Sequence, residues 1–348
     1  MLQVGIVGVG FMGMIHYLAY RKVKSARVAA ICSRDAKKRA GDWRGIQGNF
    51  GPPGEQMNLR GARAYERIEE LLDDPAIDLV DICLPPGEHA RAALMAFKAG
   101  KHVLCEKPIA LASGDARRMI AAAKAAGRRL LVAHVLPFHP EWAFAHSAAA
   151  SGKYGRFLGG QFKRIISEPI WLKNFFDPRV VGGPMIDLHI HDAHFIRLLA
   201  GMPRRVFTCG RMRGAVAEFF TTQFEFPDLA VQVAATSGVV PQQGRSFTHA
   251  FEIQFERATL LYDFAVLDGQ PTLATPLTVL TAGGKVLRPK IGSADPVNVF
   301  ADELSAAAQA VESGEPSPLL DGSLAADALA MCEAQTRSLA RGKAVRVG

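Results

Sequence analysis

The chain is 348 residues long, 49% hydrophobic and 21% charged, with a formal net charge of +8. That length exceeds one ordinary core and fits two domains, and the composition excludes a disordered chain, a fibrous repeat or a membrane-spanning protein. The positive charge is dispersed over small clusters such as Lys37-Lys38-Arg39, Arg128-Arg129 and Arg204-Arg205; without a concentrated stripe it describes solvated faces and argues against a nucleic-acid partner.

The N-terminus enters a strand pattern at once, Leu2 to Val7, with no basic leader and no cleavage site, so no secretory signal is expected. Val4 to Val9 reads as a buried strand that runs directly into Gly8-Val9-Gly10-Phe11-Met12-Gly13 and then a helical stretch from Met14 to Lys22. Strand, glycine turn and helix in that order are the context a dinucleotide fingerprint needs. Gly8 permits the tight turn, Gly10 lets a pyrophosphate approach the backbone, and Gly13 lets the helix pack on the strand. The free amides at the helix start, around Phe11 and Met12, face the phosphates.

The second strand, Arg27 to Cys32, ends at Ser33-Arg34-Asp35. An acid at this tip holds a ribose 2'-hydroxyl, whereas an arginine accommodates a 2'-phosphate. Ser33 and Arg34 occupy the tip with Lys38 close behind, so NADP is the expected cofactor; NAD follows if Asp35 reaches the ribose instead. A loop rich in turn residues covers Gly48 to Gly54, and Tyr65 to Leu72 reads as helix. Leu79 to Leu84 is a buried strand halted by Pro85-Pro86-Gly87, and a helix from His89 to Ala99 follows. Lys101 to Leu104 leads into Cys105-Glu106-Lys107-Pro108, where the proline ends the strand. Strands alternating with helices predict a doubly wound parallel sheet, which binds ligands at the carboxyl ends of its strands. Leu84, Pro85, His89, Glu106 and Lys107 are therefore expected beside the cofactor.

Ser113 to Ala126 reads as a helix and Leu130 to His134 as the next strand, before Phe138-His139-Pro140 interrupts. Residues 1–135 are expected to form the dinucleotide-binding Rossmann domain and residues 136–348 a substrate-binding and oligomerisation domain. In the second part Phe157 to Ser167, Arg205 to Met212, Glu218 to Phe226, Ala230 to Ser237, Thr248 to Phe255 and Thr259 to Asp263 read as strands without intervening helices. That pattern predicts an α+β domain with a large, mostly antiparallel open sheet. Two helices close the chain, Val299 to Ser313 and Ser323 to Ala340, and are free to pack back on the first domain. Five widely spread cysteines without a C-x-x-C pair suggest reduced thiols in a cytoplasmic protein.

Between the strands lies Gly182-Gly183-Pro184-Met185-Ile186-Asp187-Leu188-His189-Ile190-His191-Asp192-Ala193-His194. A helix starting near Pro184 puts Asp187, His191 and His194 on one face and turns His189 away. A carboxylate one turn from an imidazole orients it and raises its basicity, which suits proton transfer at a hydroxyl or carbonyl carbon. The rival is a metal site on Asp187, His189 and His191, aligned as on a strand. Helical geometry splits that set and no fourth ligand is obvious, so no metal is expected.

Gly8 to Gly13, Glu106-Lys107-Pro108 and the Gly182 to His191 segment together resemble the Gfo/Idh/MocA oxidoreductases, and the resemblance covers almost the whole chain. It implies a Rossmann domain, an open sheet that lines the substrate cleft and supports homodimers or homotetramers, and a lysine, aspartate and histidine set that maps onto Lys107, Asp187 and His191. It further implies that His191 takes a hydroxyl proton, that Lys107 hydrogen-bonds the same oxygen, and that Asp187 orients substrate or histidine. Lys107 is the alternative acid/base. With His134, His139 and His194, these three form the expected substrate contacts. The function expected is NAD(P)-dependent interconversion of a secondary alcohol and a ketone on a sugar, cyclitol or related polyol. Two other functions fit the same domains: glycoside oxidation followed by elimination with cofactor recycling, and a non-catalytic dinucleotide-binding regulator, which has no need of the proton relay.

Overall fold

Apolar runs of four to seven residues, too short for helices, build the first sheet. In the computed structural model, which describes residues 1–48, 50–170, 172–293 and 295–348, these are β1 (Leu2–Val7), β2 (Ala26–Cys32), β4 (Leu79–Ile82), β5 (His102–Glu106) and β6 (Leu130–Ala133), joined by the three-residue edge strand β3 (Arg63–Tyr65). Their order is β3-β2-β1-β4-β5-β6 and every pairing is parallel. The crossovers carry α1 (Phe11–Tyr20), α2 (Ala36–Arg39), α3 (Ile68–Leu72), α4 (Pro86–Lys98) and α5 (Ser113–Ala125). Strands buried on both faces need not alternate polar and apolar residues, and Val4, Ile6, Ile31, Leu79, Leu104 and Leu131 are all 1% exposed or less. The chain progresses outward in both directions from β1, so the crevice between the ends of β1 and β4 is a topological switch point.

The segment Tyr65 to Leu72, expected as one helix, is divided. Tyr65 donates from its hydroxyl to Asp74 Oδ2 at 2.9 Å and Arg63 pairs with the same oxygen at 2.7 Å, which holds β3 as an edge strand against β2. Only from Ile68 does the helix begin, where Glu70 accepts from the N–H groups of Glu66 and Arg67. Asn49, within the loop expected over Gly48 to Gly54, lies outside the described residues.

Residues Met1–Phe138 and Ser293–Ala325 form one compact unit, which also holds a helix at Pro296–Ser313 packed on α1. His139–Gly292 and Ala326–Gly348 form the other. Its helices are α6 (Pro140–Ala150), α7 (Gly183–Asp187) and α8 (Ile190–Ala200); α9 is Pro296–Ser313 and α10 is Gly322–Arg341. Its nine strands are β7 (Phe157–Ser167), β8 (Arg205–Arg213), β9 (Val216–Glu225), β10 (Gln232–Val240), β11 (Arg245–Phe255), β12 (Ala258–Leu267), β13 (Gln270–Thr281), β14 (Val286–Leu287) and β15 (Val345–Arg346). They lie in the order β14-β13-β12-β11-β7-β10-β9-β8-β15, and among the described residues only the β7 and β10 pair is parallel. The strand pattern recognised in the sequence stops at Asp263, but β13 adds a further strand despite two prolines. Pro271 sits at its start, and Pro276 falls where the β12 register shifts, the positions at which a missing N–H is tolerated.

On the helix-covered side of this sheet Trp142 is fully buried among the rings of Phe162, Phe195 and Phe251. The helix expected from Pro184 onward is interrupted there. The N–H groups of Leu188 and His189 both bond the Pro184 carbonyl, at 3.2 and 2.8 Å, so one turn is widened and α7 stops before α8 begins. An extra residue in one turn rotates all later helical positions by about 100°, and Asp187, His191 and His194 are not successive positions of a single ladder. The cause is burial. His189 has its Nδ1 2.9 Å from Ser237 Oγ on β10, and Asp192 takes Arg164 of β7 in a two-pronged ion pair at 2.7 and 3.1 Å. These two anchors set where α8 lies on the sheet, at the expense of helical continuity.

Among the described residues no helix is long and apolar enough to cross a membrane. Arg164 and Asp192 are 4% and 0% exposed, and removing one partner of such a pair strands the other charge. Asp192→Ala is expected to lower the unfolding free energy by about 3–5 kcal/mol, read as an earlier urea transition, whereas Arg179→Ala, which removes the solvent-exposed partner of Asp177, leaves that transition in place.

Candidate functional site

The glycine turn is shaped by what its residues lack. Gly8 follows β1 with φ +101°, and a Cβ there would stand 2.6 Å from the Cys83 carbonyl oxygen at the end of β4. A Cβ on Gly13 would stand 2.0 Å from the Gly8 carbonyl oxygen, so α1 can lie against the turn only with glycine at this place. Gly10 differs: its added Cβ would meet nothing within 4 Å. Gly10 caps α1 with no side-chain hydrogen bond, and no acidic residue occupies the first turn. The Phe11, Met12 and Gly13 amides thus present an uncompensated positive helix end beside an open space that only a Cβ would fill. The residues present fit the phosphates of a dinucleotide.

Ser33 and Arg34 follow β2 at the same sheet edge. Asp35 is the N-cap of α2 and accepts from Lys37 N at 2.9 Å, which gives its carboxylate a local task. Arg34 is exposed, Lys38 is half-buried, and Arg39 braces the tip by donating to the carbonyls of Ser33 and Arg34 at 2.8 and 3.0 Å. Leu84 and Pro85 follow β4. His89, expected to touch the cofactor, is 1% exposed. Its Nε2 is 2.7 Å from the Leu84 carbonyl and its Nδ1 2.8 Å from that of Pro108. Burial lowers its pKa from the ordinary histidine value. A neutral imidazole donates to one of these carbonyls and packs against the other, so this residue fills the space between the loop after β4 and the loop after β5.

Glu106 ends β5 and Lys107, half-buried, follows it. Glu106 Oε2 accepts from the Lys107 main-chain N–H at 3.0 Å, and Oε1 lies 3.1 Å from His16 Nε2. His134 follows β6 and is buried. The first unit therefore collects Gly8 to Gly13, Ser33, Arg34, Leu84, Pro85, Glu106, Lys107 and His134 at the carboxyl ends of its strands. In the second unit Asp187 ends α7, half-buried His191 sits in the first turn of α8, and His194 is buried one turn on. His139 caps α6 and has the ring of His249 at a centroid distance of 6.3 Å.

Several polar residues with strong tertiary roles gave no motif to read. Asp81 sits inside the apolar run of β4 and His16 inside the apolar α1, and their buried pairing at 2.8 Å joins two segments 65 residues apart. Arg164 and His249 belong to strands and carry no local signal. The one hint available was a charged or imidazole side chain inside an otherwise buried run. Among the described residues, His16, Asp81 and Cys83 are the one group of three donors close enough to share a metal ion. His16 and Asp81 are already joined directly, and burial with the nearby Asp81 charge pushes the Cys83 thiol far up. His189 of the rival Asp-x-His-x-His set is held by Ser237.

Two family models match. One, described as an oxidoreductase family with an NAD-binding Rossmann fold, covers residues 2–134; the other, described as the GFO/IDH/MocA C-terminal domain, covers residues 142–261. A 1,5-anhydro-D-fructose reductase of Ensifer adhaerens is 29% identical over 294 residues, 82% of this chain and 84% of that protein. A D-xylose 1-dehydrogenase (NADP(+)) of Haloferax volcanii is 27% identical over 357 residues, 99% of this chain and 100% of its own. The structure of a levoglucosan dehydrogenase in complex with NADH matches with a TM-score of 0.79 at 21% identity, covering 100% of this chain and 99% of that one. At that identity the likeness establishes the fold.

Gly10→Ala is expected to leave the urea transition unchanged, because its Cβ enters open space, while weakening NADPH or NADH binding about tenfold or more by nicotinamide fluorescence. Gly13→Ala should instead disturb the fold itself.

Particular buried groups in each unit make its stability depend on pH. Burial holds His189 down to about 4, and burial with the Arg164 charge does the same for His139. Their folded forms bind fewer protons than unfolded histidines of pKa about 6.5, so stability is lost as pH falls from there toward 4, by about 3 kcal/mol for His189. In the first unit, burial lowers the His16 pKa but Asp81 and Cys83 raise it well above the ordinary value overall, and burial raises that of Glu303. Those folded forms hold extra protons, so stability is lost as pH rises above the unfolded values. Hydrogen exchange, corrected for intrinsic rates, should show the amides around His139 and His189 losing protection on acidification and those around His16 and Glu303 on alkalinisation.

Proposed function

Because the chain belongs to the Gfo/Idh/MocA oxidoreductases, we propose that it interconverts a secondary alcohol and a ketone on a sugar, cyclitol or related polyol with NADP as the preferred dinucleotide. The family is one of NAD(P)-dependent oxidoreductases with a Rossmann domain. The observation that carries the reading is the position of Lys107. It follows β5, which is separated from the glycine turn after β1 by β4 alone, so a cationic side chain stands at the sheet edge that seats the dinucleotide.

When bound, the nicotinamide supplies the hydride acceptor or donor. The Phe11, Met12 and Gly13 amides hold the pyrophosphate, and Ser33 and Arg34 hold the 2'-phosphate, a choice supported by the engagement of Asp35 in capping α2. Lys107 donates to the substrate oxygen and stabilises its developing negative charge. His191 takes the proton from that hydroxyl oxygen as the carbon gives up its hydride, and Asp187 orients the substrate. His134, His139 and His194 shape the polyol pocket. Imidazoles held neutral by burial, as His139 is, accept or donate one hydrogen bond without placing a charge beside the sugar. Exposed apolar side chains on the second sheet, Phe207 and Leu273 among them, support self-association as a homodimer or homotetramer.

Titration with NADPH and NADH, followed by nicotinamide fluorescence, tests the cofactor assignment. Tighter NADPH binding that Arg34→Ala reduces about tenfold is the expected result, and tighter NADH binding moves the ribose contact to Asp35. A screen of aldoses, ketoses and cyclitols should then give turnover that Lys107→Ala lowers by about a hundredfold or more; undiminished turnover in that variant overturns the site.

A further inference from the structure

Four ionisable side chains from four different elements meet in the core of the first unit. His16 of α1, Asp81 of β4 and Glu303 of α9 are each 0% exposed, and Glu106 at the end of β5 is 5% exposed. His16 Nδ1 lies 2.8 Å from Asp81 Oδ2 and its Nε2 3.1 Å from Glu106 Oε1. The thiol of Cys83 donates to Asp81 Oδ1 at 3.5 Å, and buried Tyr20 of α1 faces the same group. The other oxygen of Glu106 receives the main-chain N–H of Lys107 at 3.0 Å.

A neutral imidazole has one N–H and turns a lone pair toward its other neighbour. With a carboxylate on each nitrogen, that lone pair would face an acceptor. The imidazolium bonds Asp81 through Nδ1 and sets its charge 3.1 Å from Glu106 Oε1, an ion pair without hydrogen-bond geometry, and although burial opposes it, Asp81 with Cys83 behind it wins. Burial raises the Glu303 carboxyl well above its ordinary range, against the His16 charge, which lowers it. Buried ion groups of this kind are poor sources of stability compared with a well-packed apolar core. Their geometry points elsewhere, since the line from Asp81 through His16 and Glu106 ends on the backbone of Lys107.

We propose that His16 is a positioning residue for Lys107: clasped between Asp81 and Glu106, it fixes the carboxylate that holds the Lys107 main-chain N–H and so couples the helix of the glycine turn to the strand end bearing the ammonium. The proposal rests on the assignment of Lys107 to the reacting site. It makes α1 do two things, seating phosphates at its N-terminus and setting the lysine from its second turn. Exchange of His16 for a neutral side chain removes the charge that pins Glu106, and Lys107 then samples other positions and a different electrostatic surrounding.

The test needs no substrate. Lysines are reductively methylated with 13C-formaldehyde, the Lys107 resonance is assigned by its loss in Lys107→Ala, and its titration is followed by NMR with and without NADPH. His16→Gln should displace the Lys107 midpoint by about one pH unit while the NADPH dissociation constant changes little and the protein still unfolds cooperatively, at lower urea because the buried carboxylates lose their partner. Glu106→Gln should displace it in the same way, and it carries the test if His16→Gln does not fold. A Lys107 midpoint unmoved in both variants overturns the proposal, as does a displacement that appears only together with loss of the urea transition. Failure of the site assignment has a separate signature: a wild-type Lys107 resonance indifferent to NADPH, whatever the His16 variants do.

Discussion

The Gly8 carbonyl and the backbone of α1 approach so closely that a single methyl group on Gly13 would fall 2.0 Å from an oxygen. This approach decides how the nucleotide-binding unit is built. It aims the unpaired amides of the first turn of α1 out of the carboxyl edge of the sheet, and it fixes α1 tightly enough over β1 and β4 for His16 to reach Asp81 at 2.8 Å. Phosphate seat and buried acid-base cluster are two ends of one short helix. The order of the sheet then brings the ends of β4 and β5 alongside, with His89 set between carbonyls of both following loops at 2.7 and 2.8 Å and donating to one of them.

The His16 cluster of the first unit and the histidines of the second sit in contrasting surroundings. In the first, an imidazole is surrounded by carboxyl groups and held charged. In the second, His139, His189 and His249 are held neutral, by burial above all and by the charge of Arg164, while the Arg164 guanidinium is neutralised by Asp192 and lies over the Trp142 ring at 5.6 Å. A charged imidazole is useful where a carboxylate must be kept in place. Neutral imidazoles suit a surface meant for uncharged hydroxyl groups, because each can donate through one nitrogen and accept through the other.

Much of the architecture was legible because it rests on local rules. The glycine turn between an apolar run and a helix, the proline after Lys107 and the alternation of strands with helices each carry their meaning within about ten residues. The strand read from Phe157 to Ser167 is β7, and α5 stops at its glycine signal, Gly127, which takes φ +61° just past the helix end. Failures occurred where a distant partner overruled local preference. Tyr65 entered a strand because Asp74 and β2 held it, β13 accommodated prolines at an end and a bulge, and the helix expected through Asp187 and His194 was widened because Ser237 and Arg164 took hold of its residues.

The sequence by itself determined the class of fold, the family and the kind of cofactor, since these depend on backbone conformations that only certain residues allow at certain spacings. Tertiary structure alone decided which polar residues meet. His16 and Asp81 are 65 positions apart and Arg164 and Asp192 are 28 apart, and nothing in either local neighbourhood names its partner. An ionisable group takes its charge state from the distance to its neighbours and the depth of its burial, and both are set only when separate elements pack.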